Sequence, residues 1–242
     1  MKDLFSKHSL RYKQARPDYS IQIVKEILKH VPERNFAWDC GAGSGQFTQL
    51  LAPYFNHVVA TDISEAQLQQ TPYFENVSYQ VQAAEQSNLP AQSVDLVTVA
   101  QAIHWFDFDA FYKEVKRVLK PQGVFAAIGY GLIEIQDAAI NSLVQQLYFE
   151  TLNGYWDAER RYIDELYQSI PFPFNEQAVP EMHLQYQWSA QQLLSYLKTW
   201  SALRHYQGKN HHDPLQLISN ALQAAPDNLD VTFPVLLRVG MV

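Results

Sequence analysis

Hydrophobic positions fall into two rhythms along the chain, and the change comes near Tyr130. Before it, residues 36–40, 58–62, 77–81, 94–100 and 124–128 form short apolar runs, as expected of strands buried on both faces. Between them, 46–55 and 65–70 carry helical spacing, and Ser64 with Gln67 three residues on is a capping-box start. Phe108, Phe111, Tyr112, Val115, Val118 and Leu119 recur on one helical face, and Lys120-Pro121-Gln122-Gly123 ends that helix and leads into the fifth strand. Strands alternating with helices predict a parallel sheet.

After Tyr130 the pattern predicts helices at 137–150 and 157–169, followed by Pro171-Phe172-Pro173-Phe174. Leu184, Tyr186 and Trp188 alternate with polar neighbours as in a half-buried strand. Ser189 with Gln192 caps a helix running to about Tyr206, and Asp213-Pro214 opens another to about Ala225. Val231, Phe233, Val235 and Leu237 alternate as a closing strand, although Pro234 inside it lacks a ladder donor. No repeat or linker divides the chain. The 242 residues are read as one domain, with a leader at 1–35, a core at 36–130 and a helical cap plus the last two strands at 131–242.

Charge and cysteine content narrow the class. Eighteen basic against twenty-five acidic residues give a net −7, unlike the basic surface that nucleic acids or anionic lipids require. A single cysteine, Cys40, excludes an internal disulfide. With no apolar leader or spanning stretch, a cytoplasmic protein is expected. His211-His212 has no spaced third ligand, so no metal is expected.

The chemistry gathers at the first strand's end. Asp39-Cys40-Gly41-Ala42-Gly43-Ser44-Gly45 follows a strand and opens a helix, where glycines let the backbone turn tightly and approach a ligand. The dinucleotide fingerprint would place a further glycine where Gln46 stands. Asp62 ends the second strand, where a carboxylate accepts both ribose hydroxyls, and Ile63 beside it would cover adenine. Asp39 would face a ligand ammonium. Together these predict a nucleoside-cofactor site.

The segment 39–45, Asp62, Ala83-Ala84-Glu85, Ser93-Val94-Asp95-Leu96-Val97 and Arg117-Val118-Leu119-Lys120-Pro121-Gln122-Gly123 resembles the class I S-adenosylmethionine-dependent methyltransferases, in the type 11 methyltransferase domain. Gln101-Ala102-Ile103-His104-Trp105-Phe106-Asp107 and the leader Tyr12–Tyr19 are similar to trans-aconitate methyltransferase-like proteins. The resemblance implies a doubly wound, seven-stranded Rossmann-like α/β sandwich whose last strand is antiparallel, with a C-terminal helical cap. It implies S-adenosylmethionine as cofactor, with Gly41 and Gly43 lining the methionine and Asp62 the ribose. Ala84 and Glu85 would meet adenine, Gln101 would close over the sulfonium, and Tyr12 would lid the methionine end. The implied activity is methyl transfer to a small molecule, with a carboxylate as the acceptor class of that branch.

His104 is the candidate for acid–base chemistry, because histidine exchanges a proton near neutral pH. It could equally shape the pocket, since an in-line transfer between well-placed reactants needs no base. Arg16, Tyr19 and Trp105 are candidate acceptor contacts, with Trp105 and Phe106 serving as wall or core, while Arg160-Arg161 are read as solvated charges. A nicotinamide dehydrogenase, a non-catalytic cofactor-binding module and a macromolecule methyltransferase are the rival readings.

Overall fold

The computed structural model describes residues 15–210 and 212–242. A helix α1 (Ile21–Ile27) precedes strand β1 (Phe36–Cys40), and α2 (Thr48–Leu51) leads to β2 (His57–Asp62). Next come α3 (Glu65–Leu68), β3 (Val77–Val81), β4 (Val94–Ala100), α4 (Phe108–Val118) and β5 (Leu119–Tyr130). These five strands are parallel in the order β3-β2-β1-β4-β5. The chain works outward from β1 to β3 and then returns to β4 on β1's other side, which opens a crevice at the carboxyl ends of β1 and β4.

Successive residues of each central strand enter different cores. Ala37, Val58, Leu96 and Val124 pack on one face of the sheet, and Trp38, Val59, Val97 and Phe125 on the other. Both faces are therefore dry, which explains the apolar runs. The cap comprises β6 (Glu134–Ile135), α5 (Ala138–Gln146), α6 (Arg161–Asp164), β7 (Asn175–Gln177), β8 (His183–Trp188), α7 (Ala190–Leu197), α8 (Ser201–Lys209), α9 (Gln216–Leu222) and β9 (Leu229–Met241).

The long strand β9 lies antiparallel beside β5, and β6 continues β5's track along the same edge. Its other edge carries β7 and then β8. Among the described residues, nine strands thus fill seven positions across the sheet, the architecture that the resemblance implies. Pro234 sits where β9 passes from β5 to β6, so its missing N–H falls between two ladders, and its carbonyl accepts from Gly131 N–H at 2.9 Å. Among the described residues no helix is long and apolar enough to cross a membrane.

Ser64 and Ser189 cap α3 and α7, as their spacing predicts. Elsewhere helices are shorter than their periodicity. The stretch 46–55 holds α2 and a tight turn at Ala52–Tyr54 that contains Pro53. The stretch 189–206 breaks at the fully buried Trp200, just after Thr199 turns its hydroxyl onto the Tyr196 carbonyl at 2.6 Å. The helix expected over 157–169 stops at Asp164, and Leu166 and Tyr167 adopt φ of +54° and +63°.

Two motif segments prove structural. Asp95 accepts from the N–H groups of Asn35 and Phe36, each at 2.8 Å, and meets Lys120 Nζ at 2.6 Å, pinning the start of β1. Glu114 accepts from the Ser87 N–H and hydroxyl and takes two bonds from Arg117, tying α4 to the segment before β4.

Candidate functional site

At the carboxyl end of β1 the chain turns through Gly41, Gly43 and Gly45, all left-handed with φ of +71°, +56° and +77°. Gly41 and Ala42 donate to the Thr61 carbonyl at 2.8 and 2.9 Å, and Gly43 donates to Asp62 Oδ2 at 2.9 Å. A Cβ on Gly41 would come within 2.6 Å of the Ala102 methyl group, so the residue after β4 presses directly on the loop. A Cβ on Gly43 would meet nothing closer than Gln67 Oε1 at 3.8 Å, so there the loop borders open space.

The two strand-end carboxylates have different surroundings. Asp62 is partly exposed, and the Gly43 and Ser64 N–H groups donate to its two oxygens at 2.9 and 2.8 Å. A carboxylate has about four acceptor directions, enough for a ribose to share it with the loop. Asp39 is fully buried and accepts from Thr48 Oγ1 at 2.6 Å and Thr98 Oγ1 at 2.8 Å. Burial, the largest influence, raises its pKa to about 6 against the two threonine bonds, and the nearby Asp62 charge adds to the rise. Its carboxylate thus ties β1 to α2 and to β4 through the two threonine hydroxyls.

Ile63 is half-buried beside Asp62, and Ala84 is buried. Glu85 Oε1 accepts from the Asp107 N–H at 3.2 Å, at the start of α4. This donor set fits S-adenosylmethionine: a strand-end carboxylate for ribose, an open glycine turn, and no further glycine to seat a pyrophosphate.

Across the loop, Gln101 follows β4 with φ of +56°. Its side chain is clamped to Tyr130, donating to the carbonyl at 3.2 Å and accepting from the N–H at 3.3 Å. His104 is buried, with the Trp105 ring 5.0 Å away. Burial, with the Arg160 and Arg16 charges, drives its pKa down to about 3, so the imidazole is neutral at physiological pH. Gln101, His104 and Trp105 line a cavity shared with Arg16, Arg160 and Arg204. Among the described residues, Asp157 is the one acidic residue on that lining.

Arg16 donates to the Tyr130 hydroxyl at 3.2 Å and lies over the Tyr196 ring, joining the leader to the cap. Tyr19 packs on Phe47 and Tyr130 with ring centroids 5.4 and 6.1 Å apart, between loop and sheet. Tyr12 lies outside the described residues, as does His211. No metal-binding group exists among the described residues, and His212 pairs with the Tyr206 hydroxyl.

Arg160 corrects the expectation of a solvated charge. Its side chain is only 14% exposed, sits against the Tyr148 and Trp156 rings, and donates from Nε to the Tyr148 hydroxyl at 2.7 Å. The aromatic residues Tyr148, Phe149, Tyr155 and Trp156 just ahead of it in the chain were the available signal. Arg204 and Tyr167 also escape sequence reasoning; Tyr167 is fully buried behind Gln101 and His104.

Residues 38–127 match the family model described as "Methyltransferase domain". A methyltransferase-family protein of Dictyostelium discoideum is 36% identical over 243 residues, covering 96% of this chain and 92% of its own length. A solved structure described as a type II methyltransferase from Anaeromyxobacter dehalogenans is 38% identical, with a TM-score of 0.85, 93% of this chain covered and 97% of that one. The YcgJ protein of Bacillus subtilis shares the fold at 20% identity, with a TM-score of 0.55, 92% of this chain covered and 98% of that one.

Proposed function

The chain belongs to the class I S-adenosylmethionine-dependent methyltransferases, and from that premise we propose that it methylates a small-molecule carboxylate. The observation that carries the acceptor class is the cavity beside Gln101 and His104, where three arginines line a pocket in a chain of net charge −7. Guanidinium groups recognise carboxylates by paired, charge-assisted bonds. The similarity of 101–107 and of the leader to the trans-aconitate methyltransferase-like branch supports the same class.

S-adenosylmethionine supplies an electrophilic methyl group on its sulfonium. In this reading the Gly41 and Gly43 backbone lines its methionine end, and Asp39 braces the end of β1 through Thr48 and Thr98. Asp62 accepts from the ribose hydroxyls, and Ile63, Ala84 and Glu85 border the adenine. Gln101, held by Tyr130, closes the space between cofactor and acceptor. Arg16 and Arg160 orient the acceptor carboxylate, and Tyr19 and Trp105 wall its pocket. A carboxylate is ionised at neutral pH, so in-line placement replaces deprotonation as the main task. His104, neutral at that pH, serves by shape and hydrogen bonding.

The test combines calorimetry with an acceptor screen. S-adenosylhomocysteine should bind while NAD does not, and acids should be methylated in preference to matched neutral molecules. Arg160→Ala should raise the acceptor KM about tenfold, the value of one charge-assisted bond, while leaving the S-adenosylhomocysteine Kd unchanged. Tight NAD binding without a response to S-adenosylhomocysteine would overturn the cofactor assignment. Equal turnover of neutral acceptors would overturn the carboxylate.

A further inference from the structure

Behind the cavity wall lies a buried polar relay whose hydrogen positions are constrained. The Gln101 amide has one acceptable orientation, because Nε2 faces the Tyr130 carbonyl at 3.2 Å and Oε1 faces the Tyr130 N–H at 3.3 Å. Flipping it would set donor against donor and acceptor against acceptor. Oε1 also faces the Tyr167 hydroxyl at 3.4 Å, and an amide oxygen only accepts. The same hydroxyl lies 3.5 Å from His104 Nδ1. Both contacts are long, as those of unliganded sites often are.

Tyr167 has one proton to place. Its phenol stays protonated, since burial pushes its pKa up. If the proton went to His104 Nδ1, a hydroxyl lone pair would face the Gln101 oxygen in a dry site, which is costly. If it goes to Gln101, the hydroxyl accepts from Nδ1–H, and every contact pairs a donor with an acceptor. His104 is neutral and carries one proton, so Nε2 then bears the lone pair. Nε2 has no protein partner among the described residues, and His104 lines the cavity.

The surroundings hold this relay in place. Leu166 and Tyr167 are both left-handed without being glycine, a strained turn that neighbouring structure must enforce. Arg238 Nη1 donates to the carbonyls of Tyr167 and Ile170 at 3.0 and 2.7 Å, and its other nitrogens make two 2.7 Å bonds to Glu176. A Cβ on Gly129 would lie 2.7 Å from both Gln101 Oε1 and Tyr167 Oη, so the relay fits only over glycine.

We propose that Tyr167 is a positioning residue that fixes His104 in its Nδ1–H form, so that the acceptor meets the Nε2 lone pair and itself carries a hydrogen-bond donor, a hydroxyl or an amine. The tautomer stands independently, and the donor on the acceptor rests on the carboxylate reading above.

Imidazole-15N labelling tests the tautomer directly, with His104→Gln identifying the resonance by its loss. At pH 7 the wild type should show a protonated Nδ1 and a bare Nε2, and Tyr167→Phe should lose that preference. A bare Nδ1 in the wild type overturns the proposal, whether or not the variant folds. Kinetics then test the donor with acids matched except for one hydroxyl. Tyr167→Phe should lower kcat/KM about tenfold for the hydroxylated acid and less than about twofold for the plain one, one hydrogen bond's worth of discrimination. Equal losses on both acids would mean a purely structural tyrosine and overturn the donor. No methylation of any acid by the wild type would overturn the carboxylate reading and leave the tautomer result standing.

Discussion

The two walls of the site are built by opposite means. The proposed cofactor wall is mostly backbone: a left-handed glycine turn and two strand-end carboxylates, all within β1, β2 and the segment joining them. The proposed acceptor wall is side chain: Arg16 from the leader, Gln101 and His104 after β4, Arg160 beside α6 and Arg204 in α8 line one cavity. One wall is acidic and the other basic. A backbone site suits a ligand that does not change, whereas a side-chain site on loops can be rebuilt for a new acceptor without disturbing the sheet.

The difference is testable because each wall should fail separately. The largest effect should come from Asp62→Ala. Losing charge-assisted bonds to both ribose hydroxyls should cost about 2–4 kcal/mol of S-adenosylhomocysteine affinity by calorimetry, roughly 30- to 1,000-fold. The acceptor KM at saturating cofactor should hold. An unchanged Kd would break the division at its strongest point.

A second effect of similar origin belongs to Asp39, which sits inside the cofactor wall. Its folded pKa of about 6 lies above the ordinary 3.8, so the native state favours the protonated form. That contribution is fully present below about pH 4 and is lost as pH rises through 6, amounting to on the order of 2–3 kcal/mol. An asparagine side chain in its place could still bond Thr48 and Thr98 without titrating. In chemical denaturation at pH 4, 5, 6 and 7, Asp39→Asn should therefore gain stability on the wild type as pH rises and level off near 7. Parallel curves would show that Asp39 does not carry this charge cost. His104 is common to both proteins, so its titration cancels in the difference.

The two walls also differ in how far they could be read from the chain. Gly41, Gly43 and Asp62 announce themselves because a tight turn and a strand-end carboxylate are local features with fixed spacing. Strand and cap positions were legible for the same reason: period and capping chemistry act over a few residues. The acceptor wall is assembled from segments far apart in the chain, so no window contains it. Arg160 looked solvated because its aromatic neighbours are brought round it by folding. The turn at Leu166–Tyr167 lacks glycine or asparagine and reads as helix, and only Arg238, some seventy residues later, shows why the helix ends. Pro234, which argued against a strand, was a local signal overruled by the change of partner along β9.

The smallest expected effect is on the acceptor wall and concerns whether His104 moves a proton. Burial beside Arg160 and Arg16 lowers its pKa to about 3, so across the working range its protonation state does not change. A base with so little affinity for a proton gains little from abstracting one, and an ionised carboxylate has none to give. At saturating cofactor and acceptor, kcat should therefore be flat between about pH 6 and 8, where an ordinary histidine base would produce a rise through about 6.5. His104→Gln retains a hydrogen-bonding group of similar reach and should keep kcat within about tenfold, the value of one hydrogen bond. A loss of about 10³-fold with cofactor affinity intact, together with a wild-type inflection near 6.5 that the variant lacks, would make His104 the base. It would also show that the bound acceptor reverses the effect of burial and the two arginines, as a negative charge beside the imidazole does by favouring its protonated form.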